Sequence, residues 1–265
     1  MDLLDDGMEF VVQERLSGMV IDYNQGHIAE QYQEAKTQAW RERIETYSFM
    51  KQIGDITGKK VLDVACGEGH FTRLLCRAGA AQVVGLDISE RMIDLAREQE
   101  SQEPLGIEYI VADARSIVAQ QDYDIVVCAW LLVYAQDRAE LAQMCRGLAC
   151  RVKPGGRFVT VNTNPGVYSF RPDYRKYGFE VELADDVVDG APIDITLNLP
   201  DSSLEVRNYY LPIEAYASAF RGAGFHDFAV HIPDLEPAPD AGDEGDYWDY
   251  LLDNPFLVIM DCVRD

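Results

Sequence analysis

Residues 61–69, Val-Leu-Asp-Val-Ala-Cys-Gly-Glu-Gly, constrain the fold of this chain more than any other stretch. Mostly apolar residues give way to a turn of small residues, which is the pattern of a buried parallel strand that ends in a loop. The next segment, 71–77, places Phe71, Leu74 and Leu75 at helical spacing. A strand, a glycine loop and a helix in this order predict the nucleotide-binding crevice of an open α/β sheet.

The residues around this loop favour one class of nucleotide over another. A dinucleotide fingerprint needs a glycine where this chain has His70, which argues against an NAD-dependent oxidoreductase. An acidic residue, Asp87, follows Gly67 by twenty positions and closes a second strand over 82–86. A carboxylate at this strand end accepts hydrogen bonds from both hydroxyls of a ribose. We therefore expect a ribose-containing ligand whose group at the loop is smaller than a pyrophosphate.

The stretches VLDVACGEG and VVGLDIS resemble motif I and the following acidic motif of the class I S-adenosylmethionine-dependent methyltransferases, and the resemblance covers residues 30–160. It implies an α/β fold with a Rossmann-like, seven-stranded, mostly parallel sheet, helices on both faces and a late antiparallel strand. It also implies S-adenosylmethionine as cofactor, S-adenosylhomocysteine as product, and no metal. Ala65 stands where the family usually has its first glycine.

The resemblance implies which residues bind the cofactor. In that family the glycine loop wraps the methionine part, the acid after strand two holds the ribose, and an acid in the position of Asp113 binds the adenine amino group. We expect Ile88 to pack on adenine, Arg41 to pair with the methionine carboxylate and Tyr32 to cover it, although Tyr32 and Arg41 also fit a helix face packed on the sheet. The predicted cofactor-binding residues are Tyr32, Arg41, Asp63, Ala65, Gly67, Gly69, Asp87, Ile88, Asp113, Ala114, Ala129 and Trp130.

Residues 163–211 interrupt the alternation of strands and helices and predict a cap over the crevice. Strand-like pieces over 178–183, 193–199 and 204–210 predict a small antiparallel sheet, with a hairpin turn at 200–203. The aromatic residues just before it form either the core of this cap or the walls of a flat pocket. The predicted substrate-binding residues are Tyr134, Tyr168, Arg171, Tyr174, Tyr177 and Trp248, and no catalytic residue is assigned.

We expect a single domain over residues 1–265. Its predicted parts are an N-terminal helical lid (1–55), a cofactor-binding core (56–162), a substrate cap (163–211) and the C-terminal part of the sheet (212–265). Residues 1–17 are acidic, and we assign no structure to them. The Pro154-Gly155-Gly156 stretch predicts a turn that leads into a fifth strand over 158–162.

The composition of the chain limits the kinds of partner and the cellular compartment that we expect. The formal net charge of −23, from 46 acidic and 23 basic residues, argues against nucleic acid and anionic membranes as partners. The longest apolar run, 125–135, is too short for a membrane span, which needs about 20 residues. The six cysteines form no Cys-x-x-Cys pair and indicate free thiols in a reducing cytoplasm. We expect a cytoplasmic protein, monomeric or homodimeric, that acts on a small molecule.

A narrower resemblance points to the acceptor. Residues 29–69, 190–210 and 247–262 are similar to methyltransferases of the toxoflavin-synthase type. This implies methylation of a ring nitrogen of a planar heteroaromatic compound in secondary metabolism, such as antibiotic biosynthesis, by in-line displacement. Three alternatives stay open: O- or C-methylation of another natural product, methylation of a protein in an open acidic groove, and cofactor binding without catalysis.

Overall fold

The computed structural model describes residues 21–116, 123–237 and 246–265, so residues 1–17 lie outside the part described. The helices are α1 (Gly26–Ala35), α2 (Tyr47–Ile53), α3 (His70–Arg77), α4 (Glu90–Gln102), α5 (Arg138–Ala149), α6 (Val167–Phe170), α7 (Ile213–Gly222) and α8 (Asp249–Asp253). The strands are β1 (Lys60–Val64), β2 (Gln82–Asp87), β3 (Glu108–Val111), β4 (Tyr123–Ala129), β5 (Val152–Thr163), β6 (Phe179–Leu183), β7 (Pro192–Asn198), β8 (Ser203–Tyr209), β9 (Phe225–His231) and β10 (Leu257–Arg264). A π-helical segment covers Arg41–Thr46, and 3₁₀ turns cover Leu132–Tyr134 and Arg175–Tyr177.

The central sheet has seven strands in the order β3-β2-β1-β4-β5-β10-β9. Strands β1 to β5 pair in parallel, and β10 pairs antiparallel with both β5 and β9. This architecture confirms the predicted Rossmann-like α/β fold. The strand order reverses between β1 and β4, and ligands of such sheets bind outside the carboxyl ends of the strands at this point.

The inner strands are buried on both faces. In β4, Val126 packs in one apolar cluster and Val127 in the other, because successive side chains of a strand point to opposite faces. Leu62 and Val61 of the neighbouring strand β1 divide between the same two clusters. Two apolar layers therefore fix the height and tilt of the strand ends that carry the glycine loop (residues 65–69).

The fifth strand differs from the prediction. β5 begins at Val152, so the Pro-Gly-Gly stretch lies inside the strand and is not a turn before it. Its pairing with β4 shifts from Tyr123 opposite Val152 to Ile125 opposite Arg157, and the extra residues form a bulge. Gly156 sits tightly here, since a Cβ atom on it would lie 2.9 Å from the carbonyl oxygen of Asp124. Pairing with β4 overrides the local turn preference.

Strands β6, β7 and β8 form a separate three-stranded antiparallel sheet, called the cap sheet below. This confirms the predicted antiparallel cap. Ile193, Ile195 and Leu197 alternate along β7 and are buried against the core. The hairpin between β7 and β8 is closed by the N–H of Leu199, which donates to the carbonyl of Ser202 at 2.9 Å.

The N-terminal segment bridges the cap sheet and the central sheet. Gln31 of α1 donates to the hydroxyl of Ser202 at 3.1 Å, so the helix is attached to the cap hairpin. On the other side, the hydroxyl of Ser89, which is the N-cap of α4, donates to Asn24 at 3.0 Å. Residues 21–35 therefore cross the crevice between the two sheets.

Two findings bear on the environment of the chain. In the ranges described, no helix combines the length and the apolar character that a membrane crossing requires. The six cysteines are free, and Cys66, Cys128, Cys145 and Cys262 are buried.

Candidate cofactor and substrate site

A cavity of about 390 Å³ lies at the carboxyl ends of β1, β2 and β4, where the strand order reverses. It brings together nine of the twelve predicted cofactor-binding residues. Those nine are Tyr32, Ala65, Gly67, Asp87, Ile88, Asp113, Ala114, Ala129 and Trp130. The other three, Arg41, Asp63 and Gly69, lie outside its lining.

The glycine loop turns sharply beside the cavity. Ala65 and Gly67 have φ values of 59° and 56°, in the left-handed region, and both line the cavity. A Cβ atom added to Gly67 would meet nothing within 4 Å, so the space next to this residue is open to a ligand. Gly69 serves packing instead, because a Cβ there would lie 2.5 Å from the hydroxyl oxygen of Tyr109.

Asp87 connects the second strand to the glycine loop. Its Oδ2 accepts the N–H of Gly67 at 2.9 Å, and its Oδ1 accepts the N–H of Ser89 at 2.8 Å. The residue is 8% exposed, and burial raises the pKa of its carboxyl group, whereas the two backbone N–H groups act in the opposite direction. Each oxygen keeps a further lone pair, so the carboxylate can accept two more hydrogen bonds from a ligand in the cavity.

The adenine end of the predicted site is formed by the loop after β3. The side chain of Arg115 donates to both oxygens of Asp113, at 2.7 Å for the shortest bond, and holds the pKa of that carboxyl below its ordinary value. The buried guanidinium of Arg151 binds the carbonyls of Ala114 and Gly147 at 3.2 and 2.5 Å. Arg151, which our sequence analysis did not single out, therefore joins this loop to α5.

Ile88 is exposed although it is apolar. Its side chain is 62% exposed and lines the cavity directly after Asp87. Covering this surface with a flat apolar ring removes it from water, which is favourable in proportion to the area covered. The position suits the face of a purine.

Trp130 adopts a strained backbone conformation where β4 meets the cavity. Its φ of 63° is uncommon for a bulky residue and costs about 1 kcal/mol or more. Its backbone N–H donates to the carbonyl of Val161 at 3.0 Å, and its indole N–H donates to Glu45 at 2.7 Å. The indole ring also stacks on Phe256, with the ring centroids 5.7 Å apart. Strain that several contacts maintain is typical of functional sites.

Arg41 lies behind this tryptophan. Its Nη1 donates to Glu45 at 2.9 Å, and both side chains are buried. Within residues 21–116, 123–237 and 246–265, no hydrogen-bond partner is found for Nε of Arg41. The guanidinium therefore has a donor left for a carboxylate, and it faces a smaller recess next to the cavity.

Asp63 lies beneath the glycine loop and accepts a hydrogen bond from the hydroxyl of Thr72 at 2.7 Å. Burial raises the pKa of Asp63 to about 7, against the opposing effects of the Thr72 hydroxyl and the Lys36 cation. The folded protein therefore holds this proton up to about pH 7, whereas an unfolded aspartate releases it near pH 3.9. Because the folded state binds more protons in this interval, its stability falls as the pH rises through it.

Replacing Asp63 with asparagine should remove this dependence. Raising the pH from 5 to 8 should increase the unfolding free energy of Asp63→Asn relative to that of the wild type by about 2 kcal/mol. The reason is that only the wild type has to ionise a buried group in this interval. Urea unfolding at the two pH values measures the difference. Asp94→Asn, at an exposed position of α4, is the matched control and should show no such change. An equal difference between Asp63→Asn and wild type at both pH values would contradict the pKa assignment.

Of the predicted substrate-binding residues, Tyr134 lines the cavity. Its hydroxyl lies 2.7 Å from that of Tyr23, and burial raises the pKa of both groups, so both stay protonated at neutral pH. The other predicted residues, Tyr168, Arg171, Tyr174, Tyr177 and Trp248, lie outside the lining of the cavity.

The tyrosines of that second group have partners inside the protein. The hydroxyl of Tyr168 donates to the carbonyl of Pro192 at 2.7 Å, and that of Tyr174 to the carbonyl of Asn254 at 2.6 Å. Tyr177 stacks on Trp248 with ring centroids 5.6 Å apart. The contacts of Tyr174 and Tyr177 attach the segment before the cap sheet to the residues on either side of α8.

Twelve residues that line the cavity were missed from the sequence, among them Tyr23, Arg207 and Tyr209. Arg207 and Tyr209 alternate along β8 and face the cavity, and Arg207 is held by Asp194 with bonds of 2.6 and 2.8 Å. The period of two in β8 would have indicated that these side chains share one face.

The chemistry of this lining fits S-adenosylmethionine. The open space beside Gly67, the unused lone pairs of Asp87 and the exposed side chain of Ile88 match a methionine moiety, a ribose and an adenine, in that order. Among the residues described, no group of three or more His, Cys, Asp or Glu side chains is arranged to hold a metal ion.

Comparison with known proteins gives three findings. A protein family described as a methyltransferase domain matches residues 61–156. A ubiquinone biosynthesis O-methyltransferase of Stutzerimonas stutzeri (strain A1501) is 37% identical over 119 residues, which are 43% of this chain and 50% of the relative. An S-adenosylmethionine-dependent methyltransferase from Mesorhizobium loti superposes with a TM-score of 0.57 at 22% identity, over 87% of this chain and 98% of the other.

The family match covers the glycine loop, Asp87, Asp113 and the strand that precedes Trp130. Residues 61–156 therefore match the methyltransferase-domain family, and the chain shares its fold with S-adenosylmethionine-dependent methyltransferases of known structure. The neighbour from Mesorhizobium loti is described as S-adenosylmethionine-dependent, and the lining of the cavity given above fits that compound. The chain spans about half the length of the curated relatives it matches.

Proposed function

We propose that this protein transfers the methyl group of S-adenosylmethionine to a small, uncharged, planar molecule held beneath the cap sheet. The observation that carries the proposal is the composition of one cavity. Residues of the cofactor motifs, such as Gly67 and Asp87, form one side, and Arg207 and Tyr209 of the cap sheet form the other. The methyl donor and the methyl acceptor can therefore be bound side by side in one cavity.

The bound cofactor supplies an activated methyl group, so the protein has to align the two reactants and exclude water. We assign Asp87 to the ribose hydroxyls, Asp113 and Ile88 to adenine, and Arg41 to the carboxylate of the methionine part. Trp130, fixed at the end of β4, limits where the acceptor can lie. Residues 1–265 would act as one unit, with the segment before residue 56 as a lid.

Proton removal has no assigned residue. The hydroxyls of Tyr23 and Tyr134 line the cavity, but burial raises the pKa of both, so they donate and accept hydrogen bonds and do not act as bases at neutral pH. An acceptor that loses its proton easily, or only after methyl transfer, needs no such base.

The attacked atom has two candidates. A ring nitrogen is the first, because the resemblance to the toxoflavin-synthase type extends into the cap, where the acceptor would bind. Oxygen is the second, because curated relatives at 37–38% identity are ubiquinone biosynthesis O-methyltransferases, although the alignments cover about half of their length.

Ligand-dependent melting tests the proposal. S-adenosylhomocysteine at a hundredfold excess over its dissociation constant should raise the melting temperature by roughly 5–10 °C. NAD at the same concentration should leave the melting temperature unchanged, because the glycine loop lacks the features that bind a pyrophosphate. Incubation with methyl-labelled cofactor and a panel of flat N–H and O–H compounds, followed by mass spectrometry, then identifies the acceptor class. No shift with S-adenosylhomocysteine would contradict the proposed function.

A further inference from the structure

A second, smaller recess of about 30 Å³ opens between the cap sheet and the central sheet. It adjoins the larger cavity, because the two share the side chains of Tyr23, Tyr32, Trp130 and Tyr134. Its cap side is formed by Ile195, Leu197 and Val206, and its floor includes Phe256. The recess is therefore an apolar extension of the cavity on the side away from the adenine end.

Besides Arg41 and the tyrosines, one uncharged polar side chain lines the recess. Asn208 of β8 lines the recess and is 2% exposed. Its Nδ2 donates to the hydroxyl oxygen of Thr163 at 2.7 Å, which fixes the orientation of the amide. No partner for its Oδ1 is found in the described parts of the chain. A buried carbonyl oxygen that accepts no hydrogen bond costs free energy. Such groups are rare in folded proteins, and a ligand that supplies the missing donor is one explanation for them.

The charges around the recess are already compensated. The guanidinium of Arg41 at its edge is paired with Glu45 at 2.9 Å, and its buried Nε, which has no partner in the described residues, is the donor assigned above to the methionine carboxylate. A charged acceptor would lose its hydration here without a free counterion. A neutral, flat molecule that presents one N–H or O–H group matches both the apolar walls and the free carbonyl.

We propose that Asn208 determines acceptor specificity: its Oδ1 accepts a hydrogen bond from an N–H or O–H group that a neutral planar molecule, whose ring lies in the larger cavity, extends into the recess. The inference rests on the proposed function, since it assumes that the larger cavity holds the methyl acceptor. Thr163 acts as a positioning residue that orients the amide. Both candidates for the attacked atom, a ring nitrogen and an oxygen, satisfy this requirement when they carry hydrogen.

Two small probes of similar shape test the inference on the full chain loaded with S-adenosylhomocysteine. Phenol presents an O–H donor, whereas fluorobenzene presents a fluorine atom of similar size and no donor. We expect the wild type to bind phenol about tenfold more tightly than fluorobenzene in ligand-observed NMR titrations, as one gained hydrogen bond predicts.

The variant to compare is Asn208→Leu combined with Thr163→Val, which removes both partners of the bond and leaves no stranded polar group. We expect it to bind the two probes equally and to bind S-adenosylhomocysteine as the wild type does. Asn162→Leu is the matched control: Asn162 is also buried, also has an Oδ1 without a partner in the described residues, and contacts Met260 away from the recess. It should keep the preference for phenol.

The outcomes separate the two proposals. An unchanged preference for phenol in the double variant, or no preference in the wild type, would overturn the role of Asn208 and leave the proposed function intact. Failure of the wild type to bind S-adenosylhomocysteine would overturn the proposed function and the inference together.

Discussion

Replacing Asp87 with alanine should weaken the binding of S-adenosylhomocysteine by roughly a hundredfold or more. Two charge-assisted hydrogen bonds to the ribose hydroxyls would be lost. The substitution would also free the N–H of Gly67, which Oδ2 of Asp87 holds at 2.9 Å, so the glycine loop would lose its attachment to β2. Isothermal titration calorimetry measures the affinity directly.

The control for this experiment is Asp94→Ala, at an exposed acidic residue near the start of α4. It changes the net charge by the same amount and should leave the affinity within twofold of the wild type. Thermal unfolding of both variants separates lost binding from lost folding. An Asp87→Ala variant that folds and binds the ligand as tightly as the wild type would remove the ribose assignment.

The second large effect is expected at Gly147, in the last turn of α5. A Cβ atom there would lie 2.2 Å from the carbonyl oxygen of Ala114 and 3.2 Å from Cα of Arg115. Both atoms belong to the backbone of the loop that carries Asp113, and this loop cannot move aside as a flexible side chain can. We therefore expect Gly147→Ala to destabilise the protein by about 3 kcal/mol and to weaken cofactor binding as well.

Gly222, at the end of α7, provides the control. A Cβ at that position would meet nothing within 4 Å, so Gly222→Ala should be neutral or stabilise the protein by about 0.5–1 kcal/mol, as is usual for glycine in a helix. Urea unfolding measures both variants. If Gly147→Ala were as stable as Gly222→Ala, the close packing of α5 against the adenine loop would be disproved.

The sequence predicts much of the fold because several of its signals are local. The strand expected over 82–86 and the helix expected over 71–77 are observed as β2 (Gln82–Asp87) and α3 (His70–Arg77). The cap strands are also found, since their alternation and the hairpin turn lie within a few residues of each other. The bulge at residues 154–156 was missed because it depends on pairing with β4, some thirty positions earlier in the chain.

The site is predictable only where a motif carries it. Gly67, Asp87 and Asp113 follow strands in fixed positions, and the structure places them around one cavity. The cap offers no such motif. Its aromatic residues are close together in the sequence, but their spacing does not show which side chains face the cavity and which face the core of the cap. Tyr174 points into the cap core, whereas Asn208, which no sequence signal marked, faces the recess. The predicted roles of these residues stay predictions until binding is measured.

The position of β10 has a consequence for how the protein is made. Leu257–Arg264 pairs with β5 on one side and β9 on the other, so an interior strand of the sheet comes from the part of the chain that is synthesised late. During translation, β9 cannot join the sheet before β10 has left the ribosome. Deletion of these eight residues should therefore abolish folding outright, because β9 would lose its pairing partner in the sheet.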